Sequence, residues 1–522
     1  MRAPCDEAVV RSTAAAVPCA AESRTWILAA TILASSLAFI DSTVVNVALP
    51  AMQSSFRATL VGVQWVVESY GLFLGALILV GGSLGDLLGR RKIFLVGVVT
   101  FALASLASAL ATSINQLIVA RSVQGGGAAL LVPGSLAIIS ASFDERSRGR
   151  AIGTWSGFTS ITTAIGPVIG GWLVEHASWR AAFFINLPIA VAVLAISVKF
   201  VPESRSATAG HIDWLGTFLG TLGLGALVVG FIASANLGWR NPLVLGSLLL
   251  GLSSLLAFVF IQARISSPIV PLAIFRSAAF RGANLLTLSL YGAIGIFFFL
   301  LPMNLIQVQG YSATATGAAL LPMILLMFSL SRWSGGLVAS YGPRLPLIAG
   351  PLIAALGFVL FAAPATASHY WKTFFPAIIV LGFGMAVTVA PLTTVVMNSV
   401  DQDRVGTASG INNAVARVAG VLAIAVFGIV MVDAFGSRLN RSLANLSLAP
   451  ETVQQLQANE IRLAGLQVPT GLAPSTAAAV KNSIAEAFVF GFRLVMAVCA
   501  GLCAVSAVIA WRFTSKAASS AR

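Results

Sequence analysis

Apolar runs of roughly 20 residues follow one another almost without a break from Trp26 to Trp511, separated by short polar gaps. A run of that length crosses a hydrocarbon layer as a helix, because lipid offers backbone N–H and C=O groups no partner outside their own segment. Composition removes the alternative of a large soluble core. Of the 522 residues, 58% are hydrophobic and 9% charged. Water-soluble cores cannot cover that much apolar side chain, so the surplus faces lipid.

Hydropathy resolves about 14 spans, in a pattern of six, two and six. The reading is an all-α integral membrane protein with a tail over 1–25 and a six-helix bundle over 26–200. A linker with two extra spans covers 201–281, a second six-helix bundle covers 282–512, and a tail covers 513–522. The first span is set at Trp26–Pro50, the tenth at Gly317–Ala339 and the last at Ile484–Trp511. The polar stretch 433–483 reads as the one long outer loop, and Pro450 followed by Val453, Leu456, Ile461 and Leu463 points to a surface helix within it.

The net charge is +14, a balance that in a soluble protein suggests nucleic acid. Here the cations sit in the gaps. Arg90, Arg91, Lys92, Arg146, Arg148 and Arg150 fall on one side of the membrane, while the short gaps of the other hold only Arg57, Arg180, Arg240 and Lys372. That asymmetry sets topology and places both termini in the cytoplasm of a cell-membrane protein, with lipid rather than nucleic acid as partner. Cys5 and Cys19 lie in the N-terminal tail and Cys499 and Cys503 in the last span, so no structural disulfide is expected. The chain lacks a phosphate-cradling P-loop, an HExxH helix, a nucleophile elbow and a dinucleotide fingerprint. No enzyme activity, metal or other cofactor is expected, and uphill work must draw on an ion gradient or on a partner subunit.

Ionisable groups inside spans are costly and mark function by default. The first half holds three, Asp41, Glu68 and Arg121. Counted from the outer ends of their spans they lie about 13, 9 and 10 Å deep at 1.5 Å per residue, a shared level. Two carboxylates and one guanidinium in a low-dielectric site are neutral only when one carboxylate carries a proton. The trio therefore reads as a proton-coupling site, the competing role being an ion pair that only orients helices.

The gap after the second span, Gly81 to Lys92, carries Gly85, Asp86, Gly89, Arg90 and Arg91 and reads as a gating loop. Asp86 is placed to cap a helix or pair with arginine, and Asp144 or Glu145 is the expected partner of Arg90. In the fifth span, Gly157 precedes Gly166, Pro167, Gly170 and Gly171, a combination that permits close packing and a bend, hence a hinge or seam. Asn46, Gln64, Tyr70, Gln124, Trp155, Tyr291 and Asn304 are candidates to line a substrate cavity, with packing as their competing role. Arg332, Arg417 and Arg493 are the isolated cations of the second half.

Taken together these motifs resemble the major facilitator superfamily. Gly81–Lys92 is similar to its loop signature between the second and third helices, Arg121–Gly125 to its fourth-helix signature, and Gly157–Gly171 to the fifth-helix signature of its antiporters. Ile40–Pro50 and Trp179–Pro188 resemble the fourteen-span drug:proton antiporter branch. The resemblance implies two pseudo-symmetric six-helix bundles, alternating access around a central cavity and proton antiport, with Asp41 and Arg121 at functional positions. Two departures stand out. Glu68 takes a position where many relatives carry a neutral residue, and the second-half loop signature, Ser334–Arg344, lacks its acid. The expected function is proton-driven export of small amphipathic compounds by a monomer. The alternative is a dedicated metabolite or siderophore exporter of the same fold.

Overall fold

A computed structural model describes residues 21–143, 145–205, 213–266, 268–366, 368–400, 405–446, 448–469 and 471–514. Long helices dominate it. They are α1 (Ala21–Phe56), α2 (Leu60–Leu88), α3 (Arg90–Leu110), α4 (Ile114–Ser142), α5 (Glu145–His176) and α6 (Ala181–Phe200). Then come α7 (Trp214–Leu237), α8 (Pro242–Gln262), α9 (Ala278–Met303) and α10 (Leu321–Tyr341). The series closes with α11 (Arg344–Phe361), α12 (Phe374–Asn398), α13 (Val405–Leu443) and α14 (Pro474–Thr514). Among the described residues 13 helices are long and apolar enough to cross a membrane. The 32-residue α5 stands where the fifth span is expected. The protein is a multi-pass, all-α membrane protein.

Several helices outrun their predicted spans. α1 continues past Pro50 to Phe56, α13 extends through 433–443 and α14 begins at Pro474 rather than Ile484. Hydropathy registers only the part of a helix that meets lipid, whereas hydrogen bonding carries the helix on into water. The stretch 433–483 is therefore largely helical, with a short helix at Pro450–Ala458 and a 3₁₀ turn at Glu460–Gly465 between the two long ones. The tenth span is interrupted at Leu320, which separates a short helix, Ala313–Ala319, from α10. Ser113 and Ser277 cap α4 and α9 by accepting from the Gln116 and Phe280 amides, each at 3.3 Å.

The chain divides into two compact units. The first takes in Met1–Val45, Val66–Leu224 and Ser253–Leu272; the second takes in Asn46–Trp65, Gly225–Leu252 and Ala273–Arg522. In the first, Phe94, Phe101, Leu131, Ala190 and Val193 form part of a core to which α1, α2, α3, α4 and α6 contribute. Its α3 and α4 approach at backbone range: a Cβ on Gly127 would lie 2.7 Å from the Phe101 nitrogen. In the second unit α11 and α12 do the same, since a Cβ on Gly357 would lie 2.7 Å from the Leu381 nitrogen. Small residues are what let membrane helices pack this closely without a hydrophobic driving force between them. Phe297, Phe358 and Phe361 form the aromatic centre of the second unit, with Phe297 lying 4.9 and 5.7 Å from the other two rings.

Candidate functional site

In the first unit Asp41 on α1 and Arg121 on α4 form a fully buried ion pair. Both members of the pair have further partners. The Gln124 amide donates to Asp41 Oδ1 at 2.9 Å and the Asn186 amide at 3.3 Å. Arg121 donates through Nε to the Val66 carbonyl at 3.2 Å and through Nη1 to Gln124 Oε1 at 2.8 Å. Its guanidinium carbon stands 4.2 Å from the centroid of the Tyr70 ring and 5.7 Å from that of Phe183. Asn186 in turn donates to Ser105 Oγ at 2.9 Å, and Ser105 to the Phe183 carbonyl at 3.0 Å. Tyr70 donates its hydroxyl to the Ala38 carbonyl at 3.2 Å, fixing the ring under the arginine. Side chains from α1, α3, α4 and α6 thus close one network, with a carbonyl and a ring from α2.

Glu68, on α2 two residues beyond Val66, is as deeply buried but differently placed. It has no exposed surface, and neither carboxyl oxygen has a hydrogen-bond partner among the described residues. An ionised carboxylate left unpaired in an apolar interior is among the costliest arrangements a protein can hold. The three charges anticipated from sequence therefore separate into a satisfied pair, Asp41–Arg121, and an unsatisfied carboxyl, Glu68.

The turn between α2 and α3 consists of Gly89 alone. Its φ of +116° is open to glycine, and a Cβ there would come 2.7 Å from Glu203 Oε1. Glu203, past the end of α6, accepts from the backbone amides of Arg91 at 3.1 Å and Lys92 at 3.2 Å, so a carboxylate from the segment after α6 caps α3. The Ser204 carbonyl accepts from the Arg90 amide at 2.9 Å, and Arg91 donates through Nη2 to the Val198 carbonyl at 2.8 Å. Arg90 pairs with Asp86 one turn earlier, at 2.8 Å. The i, i+4 geometry brings that acid within reach on the same face; Asp144 and the Glu145 side chain lie outside the described residues. Gly85 makes only ordinary contact with Arg90.

On α5, Pro167 lies inside a continuous helix. Gly166 abuts Thr43 and Gly170 abuts Val44, 3.0 Å from its Cα to a built Cβ, so these glycines form the seam against α1. Gly171 is buried beside them.

A family profile described as Major Facilitator Superfamily matches residues 31–214 and 195–424. The chain belongs to the major facilitator superfamily. Multidrug resistance protein Stp of Mycobacterium tuberculosis is 33% identical over 498 residues, covering 93% of this chain and 91% of that protein. The tetracenomycin C resistance and export protein of Streptomyces glaucescens is 32% identical over 482 residues, covering 92% and 89%. Among solved structures, a bacterial homolog of the human lysosomal transporter Spinster aligns with a TM-score of 0.62 at 18% identity, over 94% of this chain and 97% of that one, a likeness of fold.

The cavity candidates of this major facilitator fall in both units. In the first, Tyr70 and Gln124 belong to the arginine network, and Trp155 donates to Ser35 Oγ at 3.0 Å, which donates to Ser135 Oγ at 3.0 Å. In the second, Gln64 donates to the Ile424 carbonyl at 3.3 Å, and buried Asn304 accepts from Gln309 at 3.2 Å within a π-helical turn, Asn304–Val308. Asn46 and Tyr291 are half-buried there. Two residues of these networks, Asn186 and Glu203, have no role assigned from the sequence. Asn186 was visible as an amide inside an apolar span, and Glu203 as an acid at the same membrane edge as Arg90–Lys92.

Proposed function

We propose that this chain is a proton-coupled antiporter of the fourteen-span drug:proton branch, exporting small amphipathic compounds by alternating access. The supporting observation is the division of labour between the buried acids. Asp41 is neutralised in place by Arg121, so Glu68 is the group that takes up and releases the proton. Loss of that proton leaves one uncompensated negative charge in the first unit. A cationic ligand restores neutrality as well as a proton does, and that equivalence couples the two fluxes. Relatives named for multidrug resistance and for antibiotic export support the substrate class. The protein works as a monomer in the cell membrane with both termini cytoplasmic, and it uses the proton gradient with no resident cofactor.

Proteoliposomes test this. With an imposed pH gradient, a fluorescent lipophilic cation and internal pH are followed together. Wild type is expected to exchange cation for proton, and Glu68→Gln, which mimics the protonated acid, to lose coupling and bind the cation more weakly. Coupled exchange that survives Glu68→Gln would move the proton to another group.

A further inference from the structure

Arg493 is the one basic residue of α14 between Lys481 and Arg512, and the transport reading leaves it without a role. Its Nε donates to the Pro364 carbonyl and its Nη2 to the Ala363 carbonyl, both at 3.0 Å. Those carbonyls lie just past the end of α11, an 18-residue helix, which at 1.5 Å per residue is about 27 Å long, close to one hydrocarbon thickness. At the other end of α11, Arg344 stands 5.9 Å from the ring of Trp511 on α14. Arg493 and Trp511 therefore mark the two membrane interfaces on α14.

Beside Arg493 is a cavity of about 370 Å³, lined also by Arg438 of α13, by Glu486, Val489 and Phe490 of α14, and by Ala365 and Thr366. Glu486 and Arg438 approach only to 3.7 Å and both are substantially exposed. Two guanidiniums against one carboxylate leave the cavity cationic at headgroup level. Below it, α14 presents an outward apolar stripe at helical spacing. Phe490, Leu494, Val505 and Val508 are 41–61% exposed, and a side chain added at Gly501 would meet nothing within 4 Å. A charged cup at the interface continued by an exposed apolar stripe, with open space at Gly501, matches one class of molecule in the bilayer.

We propose that the second unit carries a site for an anionic phospholipid, its phosphate held between Arg438 and Arg493 and an acyl chain lying along α14 past Leu494 and Gly501. The site lies entirely in α11, α13, α14 and the turn after α11, and is independent of the proton site.

The test uses the full chain purified in detergent, with retained lipid counted by native mass spectrometry and thermal stability read on adding phosphatidylglycerol, phosphatidylcholine or inorganic phosphate. Wild type is expected to keep phosphatidylglycerol and to be stabilised by it, with phosphatidylcholine retained at least tenfold less. Arg438→Gln and Gly501→Phe should each lower phosphatidylglycerol retention about tenfold, the first by removing a phosphate partner and the second by filling the open space at Gly501. Arg493→Gln should do the same, and if it fails to fold for want of its contacts to 363 and 364, Arg438→Gln decides. Equal retention of phosphatidylcholine, or unchanged retention in both Arg438→Gln and Gly501→Phe, would overturn the proposal. Stabilisation by inorganic phosphate as large as that by phosphatidylglycerol would make this a site for soluble anions and overturn it too.

Discussion

The helix pair α3–α4 in the first unit and the pair α11–α12 in the second share a packing plan. Gly127 lets α4 reach the backbone of α3, and Gly357 lets α11 reach the backbone of α12. Their polar content differs completely. α4 carries Arg121 and Gln124 into a buried ionic network, whereas α12 contains no charged residue. A polar contact of the second unit is neutral instead: Asn412 on α13 donates to Thr287 Oγ1 at 2.7 Å and to Asn284 Oδ1 at 3.2 Å on α9. Close packing of membrane helices thus requires glycine and not charge, and among the described residues the fully buried charged side chains Asp41, Glu68 and Arg121 lie in the first unit. A buried ion pair gives little net stability relative to apolar packing, so the Asp41–Arg121 pair points to use rather than support.

The largest expected effect breaks that contrast directly. Arg121→Met leaves Asp41 buried with only amide partners and should cost about 3–5 kcal/mol, whereas Asn412→Ala should cost about 1 kcal/mol. Denaturant unfolding of the two variants in nanodiscs compares them, and equal losses would erase the distinction. Adding Asp41→Asn to Arg121→Met should recover stability without recovering transport. Next come the glycines. Gly127→Leu and Gly357→Leu should each destabilise by about 1–3 kcal/mol through overpacking, and by similar amounts if the plan is shared. A tolerated substitution in one pair alone would show that the two are packed differently.

Smaller effects sharpen the picture of the edges. Asp86→Asn removes a half-exposed ion pair worth at most about 1 kcal/mol, so stability should barely move. Transport should nonetheless fall with cation binding retained; unchanged transport at normal expression would remove Asp86 from the gate. The smallest effect concerns the 3₁₀ turn after Pro450–Ala458. Burial, reinforced by the charge of Asp433, raises the pKa of Glu460 despite a hydrogen bond with Asn440 that lowers it. Its folded form therefore favours the protonated acid, and the local packing is strongest below the ordinary glutamate range. It weakens as pH rises through the raised value. Corrected for the intrinsic base-catalysed rate, hydrogen-exchange protection over Glu460–Gly465 should fall as pH rises above the ordinary glutamate range in wild type and lose that dependence in Glu460→Gln.

Much of the fold could be read from the residues because lipid imposes a simple rule: apolar for about 20 residues, then polar. That rule located the helices and failed at their ends, as α13 and α14 show, where helical hydrogen bonding outlasts the apolar run. Ionisable residues in spans are few and conspicuous, so Asp41, Glu68 and Arg121 could be singled out from one sequence. Which acid the arginine takes could not, because pairing depends on rotation of α1, α2 and α4 about their own axes. Arg90 shows both sides of this limit. The Asp86 partner, four residues earlier, was within reach of the sequence. The cap of its helix comes from Glu203, more than a hundred residues later, and has no periodic signature.

The way Asp41, Arg121, Gln124 and Asn186 satisfy one another also bears on how this transporter can change over generations. Each of the four is committed to at least one of the others, so a substitution at any single position strands a buried donor or acceptor and is selected against until a second change arrives. Paths to a new drug range that run through this network must therefore cross a fitness valley. Variation should accumulate first at side chains such as Trp155, whose indole makes one hydrogen bond to a serine and whose replacement strands no buried charge.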